Sequence, residues 1–188
     1  MKLSKTPPIS SATKILSFDI ESNGLHGQAF AVAGVVIDAK GQTIDSFVAR
    51  IKIEDSVDEW VKDNVLPVIG DISISHGNYQ AMCDAFWRWF VAAQAKSDYV
   101  VISNGYPVEY RFMADCQDND LEKRYWEHPF PILELPSLLI GNQRISETSR
   151  LKLITTATSG RQLVRHHPMD DAIATALTAH AVLNTQRD

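Results

Sequence analysis

The chain has 188 residues, of which 45% are apolar, with two cysteines and a formal net charge of -5. That size and apolar content suit one compact domain with a real hydrophobic core and a single active site. They exclude a disulfide framework, a chain-wide coating of nucleic acid and, since no run approaches the roughly 20 apolar residues of a span, a membrane helix.

Residues 1–13 are polar, with Pro7-Pro8 and Ser10-Ser11, and have no apolar signal core. They read as a loosely ordered leader to a domain over 14–188. Residues 14–20 form an apolar run expected as a central strand, closed by an Asn23-Gly24 turn. Residues 29–37 give a second strand, Asp38-Ala39-Lys40-Gly41 a hairpin and residues 43–51 a third strand. No gap among the three is long enough for a helix, so they predict an antiparallel meander. Residues 54–98 carry eight acids against three bases. Within them, Met82, Phe86, Trp89, Phe90 and Ala93 recur at helical spacing and predict a helix over 78–96. The stripe Phe86, Trp87, Trp89 and Phe90 resembles a base-stacking platform, but aromatic residues at this spacing are read as core.

Residues 99–103 predict a fourth strand. The Asn104-Gly105-Tyr106-Pro107 turn then leads into a short helix over 108–116, with Pro107 expected at its first position. Residues 117–131, with Trp126, His128, Pro129 and Pro131, read as an irregular surface excursion, followed by a strand at 132–134 and a helical stretch at 135–140. Residues 141–165 set Arg144, Arg150, Lys152, Arg161 and Arg165 against Glu147 alone. This basic stretch suits the steering of a polyphosphate chain, with a solvated loop face as the plainer alternative. Residues 168–183 predict a long helix rich in Ala and Leu. Cys83 and Cys116 have no metal-binding spacing, which points to a reduced, cytoplasmic location.

The chemistry lies in five residues. On a strand, Asp19 and Glu21 project to one face about 6.6 Å apart, where two carboxylates repel and lose solvation unless a cation joins them. The alternative ends the strand at Phe18 and leaves both acids solvated in the turn. Glu109 falls in the first helical turn after the fourth strand. Its competitor, Asp115, lies about 9 Å further along the helix axis, so the two cannot serve one metal pair. Pro168 favours the first helical position and biases His167 toward an extended backbone, so His166 and His167 both belong to the preceding loop. His166 can fold back over Asp171, while His167 and Asp170 remain alternatives to this pair. Four carboxylates and one imidazole at the open end of a sheet form a donor set for two divalent cations and phosphodiester hydrolysis.

Phe18-Asp19-Ile20-Glu21-Ser22-Asn23-Gly24-Leu25 resembles the first motif of the DEDDh (DnaQ-like) 3′-to-5′ exonucleases, a group that includes polymerase proofreading subunits, ribonuclease T, oligoribonuclease and the TREX enzymes. Asn104 to Met113 resembles their second motif, and His166-His167-Pro168-Met169-Asp170-Asp171-Ala172 their third. The resemblance covers roughly residues 14–185 and implies an α/β, ribonuclease-H-like mixed five-stranded sheet of order βββαβαβα with flanking helices. It implies two cations, Mg²⁺ or Mn²⁺, held by Asp19, Glu21, Glu109 and Asp171, with His166 as general base. Leu25 would wedge against the terminal base, with Gly24, Asn104 and Arg165 as further substrate contacts. The implied activity releases nucleoside 5′-monophosphates from the 3′ end of a nucleic acid, with single-stranded DNA placed ahead of RNA. Stand-alone members are commonly homodimers, and the same is expected here. One departure is that the group carries aspartate where Glu109 stands, and here the spacing from Asn104 is one residue longer. That departure motivates a second reading, a non-catalytic nucleic-acid-binding or protein-interaction module on the same fold. A third, a ribonuclease-H-like endonuclease, needs neither His166 as base nor Leu25 as wedge.

Overall fold

Strand β1 (Ile15–Ser22) is the centre of the molecule and runs past Phe18, so Asp19 and Glu21 lie within the strand and not in the turn after it. The computed structural model describes residues 13–53, 56–127, 131–141 and 147–184, with the side chains of 147–151 and 184 left aside. β2 (Ala29–Ile37) pairs antiparallel with β1, and β3 (Thr43–Arg50) antiparallel with β2. This is the expected meander. β4 (Tyr99–Ile102) and β5 (Ile132–Glu134) add in parallel on the other side, giving the order β3-β2-β1-β4-β5. β1 pairs with β4 only over Ile15–Ser17. Its carboxylate-bearing end therefore passes beyond that ladder, where the parallel strands stop and the sheet opens.

Alternation along β1 divides its side chains between two cores. Leu16, Phe18 and Ile20 join the cluster under α2 (Tyr79–Gln94), whereas Ile15 joins the cluster under α7 (Pro168–Asn184). Asp19 and Glu21, in register with Ile15, thus share the α7 face. α2 starts at Asn78, whose side chain accepts from the Ala81 amide at 2.9 Å. Phe86, Trp87 and Phe90 are buried, as the helical spacing predicts, and Phe18 meets Phe86 and Phe90 edge-on at 5.5 and 5.7 Å. Each buried Phe contributes about 1.5–3 kcal/mol of hydrophobic stabilisation. Trp89 is half-buried, stacks on Phe47 and lies over Gly34, where an added Cβ would stand 2.3 Å from its ring. On the other face, Ala172, Ala176 and Ala179 of α7 are fully buried against Val35, Ile37 and Val101. These small side chains let the helix axis lie close to the sheet.

Three helices were not expected: α1 (Glu59–Asn64), α4 (Leu121–Arg124) and α6 (Glu147–Ala157). The acidic segment, the irregular excursion and the basic stretch each contain one. In α4, Arg124 is buried, donating to the Cys116 carbonyl and pairing with Asp84, while Trp126 beyond it is exposed. α3 (Val108–Asp118) starts one residue after Pro107, which occupies the N-cap after a cis Tyr106–Pro107 bond and not the first helical position. Pro168 does open α7, and α5 (Leu135–Gly141) follows β5 directly. Cys83 and Cys116 are buried and free. The leader up to residue 12, His128, Pro129 and Arg144 lie outside the described residues, as does the Arg150 side chain. Among the described residues, no helix is long and apolar enough to cross a membrane.

Candidate functional site

The open end of the sheet is a cleft of about 960 Å³ lined by Asp19 and Glu21 of β1, Glu109 of α3, and His166 and Asp171 at the start of α7. Asp19, Glu21 and Glu109 are no more than 9% exposed. Their positions follow from local structure: a strand's two-residue repeat for the first pair, a helix's first turn for Glu109 and Asp171. Donor atoms of Glu21, His166 and Asp171 lie within 4.8 Å of one another, a spacing that fits a metal ion.

So many acids in one low-dielectric place resist ionisation. Asp19 is held well above the ordinary carboxylate range, by burial first and then by the charges of Asp171, Glu21 and Glu109. Glu21 is pushed up to about 8, again by burial and then by Asp171 and Glu109. Glu109 reaches about 7 through burial, with Glu134 adding to the rise and its own backbone N–H opposing it. Asp171 is also raised by burial, against the His166 amide, which favours its charged form.

The His166 backbone is left-handed, with φ of 63°, and its N–H donates to Asp171 Oδ2 at 2.8 Å. This is the fold-back that the loop before Pro168 allowed. The ring of His166 meets Trp60 of α1 edge-on at 4.9 Å. His167 instead lies 3.2 Å from Asp71, and Asp170 accepts from the Val164 amide at 2.9 Å, so neither alternative enters the cleft. Asp115 is also elsewhere, accepting from the Tyr79 hydroxyl at 2.6 Å.

Gly24, Leu25, Asn104 and Arg165 all line the cleft, with Leu25 67% exposed. Of the basic stretch, Arg165 reaches the site, whereas Arg161 donates to the Gly41 carbonyl at 3.0 Å, away from it. The sequence reading missed Trp60 and Tyr106, two exposed aromatic residues on the cleft wall. Asp58 followed by Glu59 is a helix-start signal that marked the helix bearing Trp60. Glu134 was also missed: it accepts from the Gly105 amide at 3.0 Å and from the Tyr110 hydroxyl, bracing the turn before Glu109.

No protein-family model and no curated protein matches the sequence. Solved structures do match in fold. The nuclease domain of 3′hExo, a DEDDh family member bound to rAMP, superposes with a TM-score of 0.61 at 14% identity, covering 94% of each chain. Exonuclease X in complex with 5′ overhanging duplex DNA gives a TM-score of 0.55 at 15% identity, over 91% of this chain and 92% of that one. The E. coli exonuclease I complex with single-stranded DNA gives 0.63 at 16% identity, and here the chain spans 41% of its length. The S. pombe Pop2p structure with Mg²⁺ and Mn²⁺ gives 0.61 at 10% identity, over 89% of this chain and 82% of that one. The fold is therefore the α/β, ribonuclease-H-like fold of DEDDh-type exonucleases, with a mixed five-stranded sheet and flanking helices.

Proposed function

We propose that the protein is a metal-dependent 3′-to-5′ exonuclease that removes nucleoside 5′-monophosphates from nucleic-acid 3′ ends. The observation that carries this reading is the convergence of four carboxylates from β1, α3 and α7 with one imidazole in a single cleft. Buried acids held above their ordinary range fit divalent cations, which supply the missing positive charge. Asp19, Glu21, Glu109 and Asp171 would hold two of them, Mg²⁺ or Mn²⁺, whose chemistry is to activate a water and stabilise the departing 3′ oxygen.

The remaining work falls to the chain itself. A ring nitrogen of His166 takes the proton of the attacking water. The Asp171 carboxylate, by accepting the His166 amide, fixes the loop that presents this ring. Leu25, Trp60 and Tyr106 offer apolar surface to the terminal base, and Arg165 at the rim meets the phosphate chain. The presence of Glu109 within the carboxylate group favours this reading over a non-catalytic module.

The test is degradation of 3′-labelled and 5′-labelled single strands, DNA and RNA in matched arms, with Mg²⁺ or Mn²⁺. A ladder that disappears in Asp19→Ala is expected, with single-stranded DNA the better substrate. No ladder from the native protein, or an unchanged one from the variant, would refute the proposal. A blocked 3′ end should stop the reaction, and cleavage that continues would mean an endonuclease.

A further inference from the structure

We propose that Asn23 is a positioning residue that ties the Leu25 turn to the helix carrying Trp60, so that two walls of the cleft are held as one unit. The inference rests on the reading of the cleft as the site of the 3′-terminal nucleotide. Both ends of the Asn23 amide are used across a gap in sequence. Its Oδ1 accepts from the Asp58 amide at 2.8 Å, and its Nδ2 donates to the Ser56 carbonyl at 2.9 Å. A side-chain amide offers a donor and an acceptor on one short, uncharged fork. Aspartate would keep the first bond, lose the second and bring a second carboxylate toward Asp58.

The connection continues in both directions. Asp58 Oδ1 accepts from the Trp60 and Val61 amides at 2.9 and 3.2 Å, capping α1. Trp60, two residues on, meets the His166 ring. Gly24, at φ of 75°, takes the left-handed turn that carries the chain past the Asp58 side chain. On the other side of the turn, Arg111 of α3 donates to the His26 carbonyl. A six-residue helix such as α1 does not hold itself in water, so its cap and this tie, together with Val61 buried in the core, decide where Trp60 stands. Asn23 therefore sets Leu25 and Trp60 relative to one another and, through Trp60, the surroundings of the general base.

Two measurements on the full chain test this. In hydrogen exchange without nucleic acid, Asn23→Ala should speed the Asp58 and Val61 amides about tenfold while leaving Val32 of β2 unchanged. In the nuclease assay, Asn23→Ala should lower kcat/KM about tenfold, chiefly through KM, yet change it less than about twofold when Trp60→Ala is already present. Asn23→Asp, which keeps one of the two bonds, should fall between Asn23→Ala and the native protein in both measurements. Unchanged exchange, acceleration that includes Val32 equally, or the same loss in the Trp60→Ala background would each overturn the proposal. Absence of an Asp19-dependent ladder from the native protein would sink the exonuclease reading instead, and the exchange measurement would then decide the role of Asn23 by itself.

Discussion

Glutamine at position 21 should make the metal-free protein more stable in alkaline solution and weaken its response to divalent cations. Glu21 is 8% exposed, and its carboxyl is pushed from 4.5 to about 8 by burial and by Asp171 and Glu109. Between those two values the folded protein keeps a proton that the unfolded chain has released. The contribution of Glu21 to stability is therefore fully present below pH 4.5, is lost as pH rises through the window and is gone above pH 8. At about 1.36 kcal/mol per pH unit, the loss at high pH is on the order of 5 kcal/mol. Glutamine avoids the charge but still desolvates an amide, so the net gain should be about 2–4 kcal/mol. For a chain of this size that raises Tm by about 5–15 °C. Thermal unfolding in chelator at pH 5 and pH 8.5 tests this. The two proteins should unfold close together at the lower pH, and Glu21→Gln clearly later at the higher one. Added Mg²⁺ or Mn²⁺ should restore the native protein at pH 8.5 and move the variant much less. A variant no more stable than the native protein at pH 8.5 in chelator would refute the electrostatic argument.

Other substitutions address separate parts of the site. Glu109→Asp withdraws a carboxylate by about 1.5 Å, and a misplacement of that size should lower kcat about 10²-fold in a steady-state assay. Equal rates would show that the extra methylene is not what reaches the cluster. His166→Ala should lower kcat by about 10²–10⁴-fold but keep most of the cation-induced rise in Tm. Loss of that rise would make His166 a ligand and not the base. Gly34→Ala would set a Cβ 2.3 Å from the Trp89 ring, and displacing that half-buried ring should cost about 1–3 kcal/mol in urea unfolding. No measurable cost would mean that Trp89 is not held over the sheet.

The features legible in the sequence were the long or unbroken ones. The apolar run over residues 14–20 could be read as a buried strand because it is continuous and closed by a turn, and α2 and α7 are long enough for a helical period to register. α1 and α4, at six and four residues, are shorter than two helical turns and leave no such trace. The choices between His166 and His167, or Glu109 and Asp115, depended on partners distant in sequence. Asp71 takes His167 and Tyr79 takes Asp115, which no local spacing encodes. The same holds for Trp60, which meets His166 from another element.

The alanine face of α7 has a consequence for how such a site could change over time. Asp171 is part of the same rigid rod as Ala172, Ala176 and Ala179, whose smallness sets how near the rod lies to β1 and β2. Ala179 is about 12 Å along the axis from Asp171. One added methylene at such a position would lift or tilt the rod and shift the Asp171 carboxylate relative to those on β1. In the proposed cation site, the preferred ion radius is then inherited from the volume of apolar side chains about half the helix away. Descendants of this sequence would have a route to altered ion preference that leaves every ligand intact.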